Sequence, residues 1–153
     1  MSKQCTLKAK FEEEVMRPRL EVVRPLIQCV KTKNLENKAL AAESLYRMCV
    51  DYPDALLRLL VREKLPELAL KCYKFKITLK VMHWSAKLLL LFCDNGYLTK
   101  LLALDKEANY NMLQDFLLAL EHENSPETKI NAMLLLSHWA SHLSGKIADR
   151  IRL

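Results

Sequence analysis

The sequence predicts an all-α chain built as a short helical solenoid, and three observations carry that prediction. A segment recurs: Asp54-Ala-Leu-Leu-Arg-Leu-Leu-Val-Arg-Glu-Lys-Leu-Pro-Glu-Leu-Ala-Leu-Lys71 is echoed by Gly96-Tyr-Leu-Thr-Lys-Leu-Leu-Ala-Leu-Asp-Lys-Glu-Ala-Asn-Tyr-Asn-Met-Leu113. Both hold a Leu-Leu pair (Leu59-Leu60, Leu101-Leu102), then a polar break, then a fresh amphipathic run. A unit of this length cannot bury its apolar face alone and stacks on its neighbours. Turn formers are scarce, with 2 Gly and 5 Pro in 153 residues, which starves a multi-stranded sheet. Hydrophobic residues make up 51%, enough for a sizeable core, and Leu dominates them, favouring helix over strand. The length suits one domain. The expected organisation is a polar flexible segment over 1–15 and a helical repeat domain over 16–153.

Residues 1–10 are polar and lysine-rich, as frayed termini are. Glu12-Glu-Glu14 before Val15 and Met16 suits a helix start, and Pro18 limits its extent. Val22, Val23, Leu26, Ile27 and Val30 then fall at helical spacing, with Pro25 either kinking the helix or marking its first turn. Lys31-Thr-Lys-Asn34 connects to a second helix over about 35–50, with Leu35, Ala39, Ala42, Leu45, Tyr46 and Cys49 on one face. Asp51-Tyr-Pro-Asp54 ends it, and Asp54 serves as N-cap for a helix over roughly 55–63.

Leu65-Pro66 opens the next helix, whose apolar residues are Leu65, Leu68, Ala69, Cys72 and Phe75. A long helix over about 77–93 follows, with Leu79, Met82, Ala86, Leu89, Leu90 and Cys93 inward. Asp94-Asn-Gly96 stops it, Gly96 supplying the left-handed conformation. Helices over about 97–104 and 109–122 come next. Ser125 then caps a last long helix over about 126–143, with Pro126 first and Thr128 third. Residues 146–153 have the pattern to begin one more.

Charge is uneven. Residues 1–76 hold 16 of the 24 Lys/Arg and 10 of the 18 Asp/Glu, so the whole +6 lies in the first half. A basic end meets acidic proteins, nucleic acids or anionic membranes, or is simply solvated. Cysteines stand at 5, 29, 49, 72 and 93 with no Cys-x-x-Cys pair, which argues against a zinc ribbon or redox motif. Their odd number, and an amino terminus without an apolar run, predict a reducing, intracellular setting in cytoplasm or nucleus. Cys29 and Cys72 lie one repeat apart, as do Cys49 and Cys93, as expected of small buried packing positions. The longest apolar block, Leu88 to Cys93, is too short to span a bilayer, so no membrane insertion is expected.

Read as a repeat, the long helices carry Ala42-x-x-Leu45-x-x-Met48, Ala86-x-x-Leu89-x-x-Phe92 and Ala132-x-x-Leu135, completed by His138 or Trp139. Ala42-Glu-Ser-Leu45-Tyr-Arg-Met48, then Asp54–Leu60, then Leu65-Pro-Glu-Leu68, resemble in order the helices of an armadillo repeat. The resemblance covers about residues 20–145 and implies a right-handed α–α superhelix of about three units, with HEAT-like arrangements also open. Two departures stand out: Lys64 and Ala108 occupy the places of the family's glycine before the third helix, and Asn109-Tyr110-Asn111 replaces the second Leu-Pro. The family's third helices line a concave groove that holds extended peptides or partner helices; here they would be about 20–32, 65–76 and 109–122. Importin-type grooves use a Trp and Asn ladder on third helices, whereas Trp84 and Trp139 fall on other helices, which disfavours nuclear-signal binding.

On those third helices the polar side reads at i, i+4, i+7 as Arg24, Gln28 and Lys31; then Glu67, Lys71 and Lys74; then Gln114 and Glu121, with Asp115 nearby. As partner-binding residues, Arg24, Gln28, Lys31, Glu67, Lys71, Lys74 and Gln114 would orient a protein segment with an acidic end. The competing reading is the plain solvated side of an amphipathic helix. Lys71-Cys-Tyr-Lys-Phe-Lys76 interleaves basic and aromatic residues, so a nucleic-acid-binding repeat is the rival class.

No phosphate loop, nucleophile elbow or His-Glu-x-x-His motif is present, so a non-catalytic scaffold or adaptor is expected, with no cofactor. His138 and His142 share a helix face but supply only two of the ligands that zinc needs, so no metal is expected. The His83-Trp84 and His138-Trp139 dipeptides are out of phase with the repeat and read as coincidence. Ile147, Ile151 and Leu153 suggest self-association or continuation through the last helix.

Overall fold

Helical hydrogen bonding dominates because every apolar stripe in this chain repeats at the helical period. The structure, a computed structural model, describes residues 21–51, 53–74, 77–121 and 125–151, with side chains as far as His142, Pro53 apart. Among the described residues there are eight helices and no strand. Helix α1 is described over 21–31, followed by α2 (Leu35–Asp51), α3 (Pro53–Arg62), α4 (Leu65–Cys72), α5 (Leu79–Asp94), α6 (Leu98–Ala108), α7 (Met112–Glu121) and α8 (Pro126–Ile151). Among the described residues no helix is long and apolar enough to cross a membrane. The described chain up to Leu65 forms one compact unit and that from Pro66 onward a second.

The ends of the helices follow local chemistry. Asn34 accepts the Asn37 amide through Oδ1 at 3.0 Å and so caps α2, where the sequence suggests only a connector. Thr78 caps α5 through the Val81 amide. Ser125 caps α8 as expected: its Oγ accepts the Thr128 amide at 3.3 Å and shares a 2.8 Å hydrogen bond with the Thr128 hydroxyl. Helix α5 stops at a Schellman motif, in which Tyr97 N–H donates to Phe92 O at 2.9 Å and Gly96 N–H to Cys93 O at 3.4 Å. Gly96 takes φ of 89°, and the rings of Phe92 and Tyr97 meet edge-to-face, supplying the apolar contact that accompanies this motif.

Two expectations need correction, and one open alternative is decided. Helix α8 runs without interruption through Gly145 to Ile151, so no separate helix begins at 146. A single glycine costs a helix interior only about 1 kcal/mol, which a long helix absorbs. Helix α3 starts at Pro53, which puts Asp54 in the first turn instead of at the cap. Pro25 stands inside the described helical run, after the turn formed by 21–24, so it does not begin that helix. Phe75, assigned to the inward face of the fourth helix, lies outside the described residues, as do residues 1–20.

The first unit packs α2 on α3 and buries Val23, Ile27, Val30, Ala42, Leu45, Leu56, Leu57 and Leu60. Val22 and Leu35, read as part of these faces, are exposed. The second unit packs α8 against both α5 and α7, and α6 against α5. His83 of α5 faces Asn131 of α8 (Nδ1 to Nδ2, 3.1 Å), and Asp94 faces His138 (3.3 Å), so these two helices run in the same sense. Both histidines of the His-Trp dipeptides thus lie at one helix junction. The tryptophans differ: Trp139 is buried in the core, and Trp84 is half-buried with its ring edge-to-face on His83.

The Ala-x-x-Leu stripe is buried in all three long helices: Ala42 and Leu45, Ala86 and Leu89, Ala132 and Leu135. Four residues beyond each Leu the stripe continues into the core as Cys49, Cys93 and Trp139. Trp139, not His138, therefore completes the third stripe. Burial pushes the Cys49 thiol up to about 12; burial, helped by the Asp94 charge and opposed by a backbone hydrogen bond, does the same to Cys93. Both behave as packing positions. Within the Leu-Leu pairs the phase slips by one residue, since Leu60 and Leu101 are the fully buried members.

Candidate functional site

The polar face of the first unit is set by α1. Val23, Ile27 and Val30 turn inward, which leaves Arg24, Gln28 and Lys31 on exposed positions of the same helix. Arg24 Nε lies 3.5 Å from Glu63 Oε1 beyond the end of α3, an exposed ion pair. Such a pair contributes little to stability, about 0–1 kcal/mol, and exchanges readily for another carboxylate.

The polar face of the second unit begins on α4, where Glu67 is half-buried and Lys71 is exposed. Lys74 is exposed too, but not on the helix. Helix α4 ends at Cys72, and the chain turns through Lys74 N–H to Cys72 O (3.1 Å) and Ile77 N–H to Lys74 O (3.2 Å). The helical register joining Glu67, Lys71 and Lys74 thus breaks before its last member. Tyr73, at this break, has its ring buried edge-to-face on Phe116 of α7 at 5.5 Å. On α7, Gln114 and Glu121 are exposed and Asp115 is half-buried.

Lys74 lies within electrostatic range of Asp115. Burial raises the Asp115 carboxyl above the usual carboxylate range, the Lys74 ammonium pulls it back, and Asp105 adds to the rise. Burial, and then the Asp115 charge, push the Tyr73 phenol upward. A basic residue and a buried phenol at the end of α4 thus lie within electrostatic reach of a half-buried carboxylate on α7. Helical spacing puts Lys74 and Asp115 on separate rungs, because periodicity does not register the turn that follows Cys72.

Asp105 of α6 is a structural residue that the sequence did not single out. Its Oδ1 accepts the Met112 amide that opens α7, and its Oδ2 accepts the Trp139 indole N–H. Only Asn109-Tyr110-Asn111 hinted at the tight turn it organises. Asn109 and Asn111 both take left-handed backbone (φ 53° and 54°), which asparagine adopts more readily than other side-chain-bearing residues. Lys64 does the same between α3 and α4 (φ 64°), so that turn is made without glycine; Ala108 stays in its helix.

Among the described residues, no group of three or more His, Cys, Asp or Glu could hold a metal ion. A hollow of about 170 Å³ opens between the starts of α5 and α8, bounded by Leu79, His83, Trp84 and Thr128. No protein family, curated protein or solved structure matches the chain.

Proposed function

We propose that the chain is a non-catalytic protein-interaction module, a scaffold or adaptor of armadillo-like units that holds an acidic partner segment. The proposed anchors are Arg24, Gln28 and Lys31 on the first unit and, taken by itself, Glu67, Lys71, Lys74 and Gln114 on the second. The observation that carries this reading is the exposure of these cationic and amide side chains on elements whose opposite sides are locked in a core. Rigid backbone under mobile polar tips lowers the ordering cost of binding. The armadillo-like arrangement is part of the same proposal. It is supported by the thrice-buried Ala-x-x-Leu stripe and by the parallel packing of α5 on α8, which is how equivalent helices of successive repeats stack.

One of the cations, Arg24, already has a carboxylate beside it, Glu63, and Lys74 lies within electrostatic range of another, Asp115. Carboxylates within the face favour a partner whose acidic residues are confined to a short segment over a continuous polyphosphate. The test is fluorescence anisotropy of the full chain against a panel of acidic peptides and a single-stranded oligonucleotide. Peptide binding that weakens on Lys71→Glu and Lys74→Glu supports the reading. Oligonucleotide binding with a steep dependence on salt, and no peptide binding, rejects it in favour of the nucleic-acid class.

A further inference from the structure

The hollow at the starts of α5 and α8 has an ordered apolar wall. Asn131, buried on α8, meets His83 Nδ1 at 3.1 Å, and the His83 ring stands edge-to-face on the Trp84 indole at 4.8 Å. The half-buried indole is thereby tied to the core of the second unit. Leu79, half exposed, adds a second apolar group to the wall. The space of about 170 Å³ suits one side chain. A cavity of about 150 Å³ holds a benzene ring, whereas drug-sized ligands take about 300 Å³ or more.

The polar groups of the same hollow are underused. Ser125 and Thr128 bring two hydroxyls to it but share one 2.8 Å hydrogen bond. Whichever donates, the other keeps a proton that has no acceptor among the described residues. Thr128 is 4% exposed, so leaving a donor unspent there is costly. Lys80 and Glu127, each the second residue of its helix, stand exposed at the rim. Neither has an ion pair among the described residues, with the other or with any third group. The His83–Asn131 contact joins residues 48 apart, and that offset sets Glu127 level with Leu79, beside Lys80.

We propose that this hollow binds a free α-amino acid with an aromatic or branched apolar side chain. The side chain lies against Trp84 and Leu79, the carboxylate meets Lys80 and the unspent hydroxyl, and the ammonium meets Glu127. The pair of opposite charges selects the class. A plain anion of the same size sets itself against Glu127, a plain cation sets itself against Lys80, and a neutral apolar molecule leaves the charges and the hydroxyl unused. Packed helices lie about 8–10 Å apart, a gap that a carboxylate and an ammonium on one carbon bridge with charged hydrogen bonds of about 2.8 Å at either end. A residue inside a peptide has lost both of those charges to its amide bonds, so a partner's interior segment does not satisfy the site. The hollow shares no residue with the polar faces proposed above, and either proposal survives the failure of the other.

Proton–nitrogen NMR of the full chain, titrated with L-phenylalanine, tests the proposal. The chain has 2 Trp, so the indole N–H signals separate Trp84 at the hollow from the buried Trp139. The expected result is a saturable shift of the Trp84 signal while that of Trp139 stays in place. 3-Phenylpropionate, which lacks the ammonium, and 2-phenylethylamine, which lacks the carboxylate, should each bind about tenfold more weakly, as loss of a hydrogen bond to a charged group does. Lys80→Gln should erase the preference over 2-phenylethylamine and keep that over 3-phenylpropionate; Glu127→Gln should do the reverse. Both positions are exposed, and an unmoved Trp139 signal reports that the variants fold. A Trp84 signal that does not shift overturns the proposal. So does equal binding of the three compounds, which makes the hollow an apolar crevice only, and so does a preference that neither substitution changes.

Discussion

The indole N–H of Trp139 donates to Oδ2 of Asp105 at 3.2 Å, binding α8 to α6 across 34 residues of sequence. The other carboxylate oxygen accepts the first amide of α7 at 3.4 Å. One side chain therefore satisfies a helix terminus and a core aromatic together, and Trp139 in turn stacks edge-to-face on Phe116. Asp105→Ala should destabilise the second unit by about 2–3 kcal/mol, because a buried indole N–H and an amide lose a charged acceptor. Trp139→Phe combined with Asp105→Ala should cost less than the sum of the two changes. Urea unfolding of the four proteins in a double-mutant cycle measures the coupling.

Tyr73 gives the opposite sign. Its ring is fully buried against Phe116, and its hydroxyl has no hydrogen-bond partner among the described residues. Tyr73→Phe keeps the ring contact and removes the stranded hydroxyl, so stability should stay level or rise by about 1 kcal/mol. Tyr73→Leu, which loses the aromatic pair, should destabilise. The urea midpoint separates the two variants.

Backbone handedness sets a matched pair of expectations. Lys64 holds φ of 64° and Gly96 holds φ of 89°. Lys64→Gly should stabilise by up to about 1 kcal/mol, since the left-handed region costs a side-chain-bearing residue roughly that much or more. Gly96→Ala should destabilise by about 1 kcal/mol. A Cβ at Gly96 would meet nothing within 4 Å, so that loss is conformational and not a clash. Thermal unfolding monitored at 222 nm reads both shifts.

Asp115 makes stability depend on pH. Burial first, then Asp105, lift its carboxyl above the ordinary value, while Lys74 opposes them. The folded state then holds the proton more tightly than the unfolded chain does. Stability contributed by this group falls as pH rises through the window just above the ordinary carboxylate pKa, and the penalty persists at neutral pH. Asp115→Asn should flatten the stability curve across that window, with the parent gaining on the variant as pH drops. Lys74→Gln, which removes the opposing cation, should shift the window upward. Chemical denaturation from pH 3 to 7 gives the curves, and an unchanged slope in Asp115→Asn would sink the assignment.

Sequence periodicity located the long helices because burial leaves a period in the residues themselves. Ala86, Leu89 and Phe92 are spaced for one helix side, and that side is buried. The Ser125 cap and the Gly96 stop were legible for the same local reason: hydroxyl capping and positive φ are properties of single residues in short windows. Lys64 was not legible as a left-handed residue, because lysine has no preference for that conformation. Leu79 read as inward yet is half exposed, since its position at the first turn of α5 places it on the edge of the hollow beside Trp84.

By itself the sequence determined that the chain is helical, where most helices lie, and which side of each carries the apolar stripe, because these depend on contacts within about one turn. Tertiary structure alone decided that Asp105 meets Trp139, that Lys74 lies off its helix within electrostatic range of Asp115, and that Leu134 stays open where Leu88 is closed. Those outcomes depend on which helix packs against which, a relation between residues tens of positions apart that no local pattern of spacing encodes.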